Sequence, residues 1–218
     1  MRLARFDLKT SYGEKFKVYP IGDLHIDRVE FDEERFNQYI EVIANDPLAI
    51  WVLVGDIHDG RVPGDAKFEP QSVRHKYLLD LDDYVPHTLQ EATRLLSPLK
   101  ASRGVILEGN HDRYIRWSGF AHSIANALEV PFLGGEGLLG VRVVETNGEV
   151  RGRSRYYRIY VCHGTGNGWT AGGKINRNSE LIRTAEAEIY ISGHVHDGNT
   201  RVISTPTLPV KGGLLWRV

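Results

Sequence analysis

Carboxylates, imidazoles and one amide recur along this chain in short clusters, and each cluster directly follows an apolar, β-like run. Residues 16–21 lead into Gly22-Asp23-Leu24-His25, and residues 49–54 into Gly55-Asp56-Ile57-His58-Asp59. Residues 104–108 lead into Gly109-Asn110-His111-Asp112, residues 157–162 into His163-Gly164, and residues 188–192 into Gly193-His194-Val195-His196. Asp23 and His25 are two apart, as are His194 and His196, so in extended backbone each pair faces one side. Asp56 brings two carboxylate oxygens able to bridge a pair of cations, Asn110 a neutral amide oxygen, and His163 a further imidazole. Nitrogen and oxygen donors without thiolate suit Mn²⁺, Fe²⁺, Zn²⁺ or Ni²⁺ better than Ca²⁺ or Mg²⁺ alone.

Donors this far apart in sequence meet only if the chain turns each strand's carboxyl end toward one point, as open α/β sheets do. The intervening segments fit that requirement. Asp32 is placed to cap a helix through about Asn45 that sets Phe36, Tyr39, Ile40 and Ile43 on one face, and Pro47 stops it. Residues 71–99 read as helical with an interruption at Pro86, with Val85, Leu89, Ala92, Leu95, Leu96 and Leu99 as the apolar stripe. A short helix is expected near 120–128. Residues 141–146, the turn Asn147-Gly148 and the stretch toward Tyr160 read as a β-hairpin. Asn178 or Ser179 can cap a helix through about Ala187, and residues 200–204 and 214–218 read as closing strands. Strand–helix alternation followed by mostly strand predicts two stacked mixed sheets with helices outside, a four-layer α/β/β/α sandwich.

At 218 residues the chain is read as one domain over 1–218. Its formal net charge of −1 supplies no global field for nucleic acid or membrane. The first residues carry no continuous apolar run, so a secretory leader is not expected, and the longest apolar run is too short to span a bilayer. The single cysteine, Cys162, excludes an intrachain disulfide and fits a reducing, cytoplasmic setting. Its strand position marks it as a small buried apolar group.

Taken in order, the five clusters resemble the calcineurin-like metallophosphoesterase superfamily: Asp-x-His at Asp23/His25, Gly-Asp-x-x-Asp at Gly55/Asp56/Asp59, Gly-Asn-His-Asp over 109–112, the lone His163, and Gly-His-x-His at Gly193/His194/His196. The resemblance implies one cation held by Asp23, His25, Asp56 and His196, and a second by Asp56, Asn110, His163 and His194. It implies a phosphoester hydrolase with two divalent ions, Mn²⁺ first among the candidates, that activate a shared water for in-line attack. His111 would stabilise charge or protonate the leaving group, Asp112 would orient His111, and Asp59 and His58 would stand behind the ligands. His75, His87 and His122 match no cluster and are read as surface or core residues.

The substrate is narrowed by departures from subfamilies. Asp59 is followed by Gly60-Arg61 rather than Arg-Gly, and Glu108 precedes Gly109, which disfavours a protein phosphatase. Asp59 stands where purple acid phosphatases place tyrosine. Among nearby cations (Arg28, Arg61, Arg113, Arg116, Lys174, Arg177), Arg113 and Arg116 are the expected phosphate contacts, because they follow His111. The glycine-rich stretch 163–174 offers Trp169 as a stacking platform and Lys174 as a cation, and it looks like a loop of phage and prophage members. These features lean toward a phosphodiester or nucleotide-type substrate over a phosphomonoester. Two rivals are a nucleic-acid-processing enzyme that uses the basic stretch 151–158, and a non-catalytic scaffold of the same fold.

Overall fold

The computed structural model describes residues 1–11, 13–114, 119–146, 154–164 and 184–194, with the backbone of 205–207 and 215–217. In chain order its main elements are β1 (Arg2–Ser11), β2 (Lys17–Ile21), α1 (Glu33–Ala44), β3 (Ala49–Leu53), α2 (His75–Leu78), α3 (Tyr84–Leu96), β4 (Gly104–Leu107), α4 (Asn110–Tyr114), α5 (Phe120–Ala127), β5 (Phe132–Gly134), β6 (Glu136–Thr146), β7 (Ser154–Cys162), β8 (Ile189–Ser192), β9 (Thr205–Thr207) and β10 (Leu215–Arg217).

Strands β2, β3 and β4 are each followed by helix, and a helical crossover returns the chain parallel to itself. Accordingly β2-β3-β4-β5 form a sheet that is parallel throughout, not mixed as the sequence suggests. The second sheet, β1-β6-β7-β8, is mixed: β1 runs parallel to β6, β6 antiparallel to β7, and β7 parallel to β8. The central strand β3 shows why the sheets stack. All five of its residues are buried, with Trp51 and Leu53 in the helix-side core while Ile50 and Val52 join the core shared with the second sheet. Helices α1, α3 and α5 supply Phe36, Ile40, Leu95, Leu96, Phe120 and Ile124 to the helix side. Ala4, Leu8, Leu139, Val141, Ile159 and Val161 face Ile50, Val52, Val105 and Leu107 between the sheets. Pro20 sits in β2, an edge strand, where a missing N–H costs no ladder bond.

The Asp32 cap forms as expected, its carboxylate accepting from Arg35 N at 3.0 Å. The 71–99 region differs. Helix α3 starts at Tyr84, so Pro86 lies in its first turn, where its missing N–H is one the helix leaves unpaired anyway. The real interruption is residues 79–83, rich in aspartate. Strands β1 and β5 add to those read from sequence. The expected turn at Asn147-Gly148 lies outside the described residues, as do 178–183 of the helix expected through about Ala187; residues 184–187 are described and are turn and coil, not helix. The outer face of the mixed sheet carries Tyr160, Cys162 and Ala187 together with Leu138 and Tyr190. Burial pushes the Cys162 thiol up to about 11, which suits an inert packing role. β9 and β10 pair antiparallel with each other; the first lies just beyond the expected 200–204, the second inside 214–218. No helix among the described residues is long and apolar enough to cross a membrane.

Candidate metal centre

The carboxyl ends of β2, β3, β4, β7 and β8 all open onto one edge of the stacked sheets. The first two loops run side by side, Asp23 N donating to Gly55 O at 3.1 Å, His25 N to Asp56 O at 3.1 Å and Ile26 N to Ile57 O at 2.9 Å. Among the described residues, four donor-bearing ones adopt left-handed backbone: Asp23 (φ 51°), His25 (φ 43°), Asp56 (φ 52°) and His194 (φ 73°). For non-glycine residues this conformation costs about 1–3 kcal/mol each and persists only where surroundings enforce it, typically at functional sites. The enforcement here is contact between loops. A Cβ on Gly109 would meet Asp56 Oδ1 at 2.0 Å, and one on Gly55 (φ 98°) would meet Gly109 N at 2.3 Å. Only glycine permits the second and third clusters to touch.

Asp56 lies at the middle and is buried. Its Oδ1 accepts from His111 N at 2.9 Å, whereas its Oδ2 accepts no hydrogen bond and stands 3.1 Å from His163 Nε2. His163 Nδ1 is 2.7 Å from Val54 O, and a carbonyl can only accept, so Nδ1 carries a proton. In the neutral imidazole Nε2 is then a bare lone pair, and it faces both Asp56 Oδ2 and Asn110 Oδ1, the latter at 3.0 Å. Three acceptors aimed at one another, two of them buried and Asn110 half-buried, call for a positive charge between them, either a cation or a shared proton. Burial lowers the pKa of His163, but the contact with Asp56 outweighs it and the net direction is upward. The geometry of these nitrogen and oxygen donors, with Asp56 Oδ2 left without a hydrogen bond, fits a divalent ion.

Among the described residues, two groups have ligand atoms within 4.8 Å of one another: His25, Asp56 and His111, and Asp56, His163 and His194. Asp56 belongs to both. The pKa of His25 is lowered by burial and by neighbouring His111, and that of His194 by burial and by His163; both shifts favour the neutral, ligating imidazole. Asp23 stands outside these groups. Both its oxygens accept from His194 N, at 3.1 and 3.0 Å, tying the parallel sheet's loop to the mixed sheet's. His196 lies outside the described residues, as do Arg116, Trp169 and Lys174.

The residues behind the ligands depart from the sequence reading. Asp112 does not orient the His111 ring. It is buried and its carboxylate accepts from Asp56 N (2.9 Å), Ile57 N (3.0 Å) and Gly109 N (2.9 Å), clasping the second cluster to the third. Burial raises its pKa to about 6 against the pull of those N–H groups. The partner of His111 is Asp59: Nδ1 contacts the Asp59 carbonyl, and Oδ1 of the same residue is 3.7 Å away. Asp59 Oδ1 is also 3.7 Å from His25 Nδ1. His58 is fully buried, accepts from Gly60 N through Nδ1, and packs edge-on against Tyr84 and Phe120, so it braces the second cluster from behind.

Among the arginines, Arg113 is bonded to Glu108 at 3.0 Å and points along the surface. Arg28, named among the nearby cations but not preferred over Arg113 and Arg116, lines a cavity of about 380 Å³ with His25, Phe31, Asp59 and His111. A larger hollow of 770 Å³ shares Asp23, Leu24, Glu30 and Phe31 with it and continues to Arg35, Gln38 and Tyr39 of α1. In the basic stretch, Arg158 is neutralised by Glu186 (3.0 Å) and Glu188 (2.8 Å), and Arg151 and Arg153 lie outside the described residues. Sequence reasoning also passed over Asp27, which continues the alternation of Asp23 and His25; a charged side chain at that spacing was the available signal.

No curated protein matches the chain. The calcineurin-like phosphoesterase family matches it over residues 16–198.

Proposed function

The chain belongs to the calcineurin-like phosphoesterase family, and on that premise we propose that its 1–218 span is one catalytic unit hydrolysing a phosphodiester of nucleotide type. One observation carries the reading: buried Asp56 is common to both ligand groups, with an oxygen that no hydrogen bond satisfies. Asp23, His25, Asp56 and His196 would hold one divalent ion and Asp56, Asn110, His163 and His194 the other, with Mn²⁺ the first choice for this donor set. Such ions supply an acidified water and neutralise the phosphoryl oxygens. The chain's own residues do the rest. His111, its Nδ1–H engaged by the Asp59 carbonyl, turns Nε2 toward the reacting group and, as the imidazolium, delivers the Nε2 proton to the leaving oxygen and is left neutral. Arg28, held near Asp59 Oδ2 at 3.4 Å, is placed to bind a non-bridging phosphoryl oxygen. The hollow from His111 past Phe31 to α1 is larger than a lone phosphate needs, which supports a substrate with a substantial group on both sides of phosphorus. A reducing, cytoplasmic setting fits the buried thiol of Cys162.

The test is hydrolysis of bis-p-nitrophenyl phosphate beside p-nitrophenyl phosphate by protein stripped with chelator and reconstituted with Mn²⁺. Faster metal-dependent release from the diester is the expected result. Preference for the monoester would move the substrate to phosphatase chemistry, and inactivity on both with two metals bound would favour a scaffold. The nuclease reading is weakened by the pairing of Arg158, which removes one cation from the stretch it depends on.

A further inference from the structure

Behind the site lies a buried polar cluster that the reaction described above does not use. Asp27, fully buried, accepts from Asp59 N at 2.9 Å through Oδ1 and from the Tyr84 hydroxyl at 2.8 Å through Oδ2. Its own backbone is fixed, since Arg74 N donates to Asp27 O at 2.8 Å and Val29 N donates to Ser72 O at 3.1 Å. Tyr84 is fixed in turn: it opens α3, is almost wholly buried, and its carbonyl accepts from Thr88 Oγ1 at 2.8 Å. His58 Nε2 lies 3.6 Å from Asp27 Oδ2, too far for a hydrogen bond but on the same carboxylate. The peptide that Asp27 grips by its N–H belongs to Asp59, the residue whose carbonyl contacts His111 Nδ1.

We infer that Asp27, braced by Tyr84 of α3, is a positioning residue for His111, setting the Asp59 carbonyl that fixes the imidazole's orientation and tautomer. The arrangement is directional. Asp59 is held on its amino side by Asp27, and the next peptide is held at Gly60 N by His58 Nδ1, so the Asp59 carbonyl stays on His111 and demands a proton on Nδ1. In the imidazolium the Nε2–H is thereby the proton presented to the leaving oxygen. A carboxylate with no first-hand contact to substrate thus decides which ring atom of His111 works. This rests on the proposed role of His111 as proton donor.

The experiment compares reconstituted wild-type and variant enzymes on p-nitrophenyl and phenyl esters of the same phosphoryl group, because only the poorer phenolate leaving group needs a proton donor. Asp27→Ala should lower kcat on the phenyl ester about tenfold or more and on the p-nitrophenyl ester under about threefold, with KM and metal content unchanged. Asp27→Asn should recover most of the loss, its Oδ1 accepting from Asp59 N and its Nδ2 donating to the Tyr84 oxygen. Asp27→Ala combined with His111→Ala should be no slower than His111→Ala alone. Tyr84→Phe removes one brace bond with minimal volume change, and should give the same ester-selective pattern at about threefold; it carries the test if Asp27→Ala does not fold. Equal loss on both esters, or additive loss with His111→Ala, overturns the inference. His111→Ala that is itself indifferent to the leaving group overturns the parent reading instead.

Discussion

The two sheets contribute to the site in different ways. The parallel sheet is short-stranded and covered on both faces, and its ends turn at once into loops that carry Asp23, His25, Asp56, Asn110 and His111. Three of those residues are placed by left-handed backbone. The mixed sheet is built of longer strands whose burial alternates along β6, and it delivers His163 and His194 just past its strand ends. One sheet shapes a cradle by backbone conformation, and the other inserts imidazoles into it. The cradle and the inserts are joined by His163 Nδ1 to Val54 O and by His194 N to Asp23. A site made this way exists only when the sheets are docked, so ion binding and sheet packing are thermodynamically linked.

That division can be broken most completely at Asp56, which serves both groups. Asp56→Asn should remove both metal equivalents and lower kcat/KM on the order of a thousandfold, about 4 kcal/mol; two retained equivalents by metal analysis would refute the shared role. His163→Ala should cost one equivalent and roughly a hundredfold in turnover while the ion beside His25 remains. Loss of both ions from that variant would show that the two ligand groups do not bind independently. The smallest effect belongs to the helical side of the parallel sheet. There Arg94 and Lys76 hold Glu91 down to about 2 from an ordinary 4.5. A lowered folded pKa contributes stability above the unfolded value and loses it as pH falls. Glu91→Gln should cost about 0.5–1 kcal/mol in urea unfolding at pH 7, with the gap closing between pH 4.5 and 2, and no change in metal content.

The site was more legible in the sequence than the elements around it. Apolar runs ending in Gly-Asp or Gly-Asn-His announce themselves, because the glycines are forced by loops in contact and the runs by burial on both faces. β1 was open to reading and was passed over: Ala4, Leu8 and Thr10 point inward while Arg5, Asp7 and Lys9 point out, a period-2 pattern diluted by exposed Leu3. β5 offers only Phe132, Leu133 and Gly134, too few for any periodicity. Pro86 misled because a proline in a first turn and one in a helix interior are identical in sequence and opposite in effect. The Asp112 clasp was hidden for a similar reason: its partners are backbone N–H groups, which carry no residue-type signal.

The pairing of β1 with β6 bears on how the protein is made. Arg2 lies beside Gly137 and Ser11 beside Thr146, so the first strand leaves the ribosome well over a hundred residues before its neighbour. Through most of translation Ala4, Phe6 and Leu8 have no sheet to join, while the parallel sheet behind them can already assemble from β2 through β5. Nascent chains of this topology expose an apolar strand edge for seconds, long enough for chaperone capture or misassociation to compete with closure. The order of the strands thus leaves the amino-terminal strand the one that waits longest for its partner during synthesis.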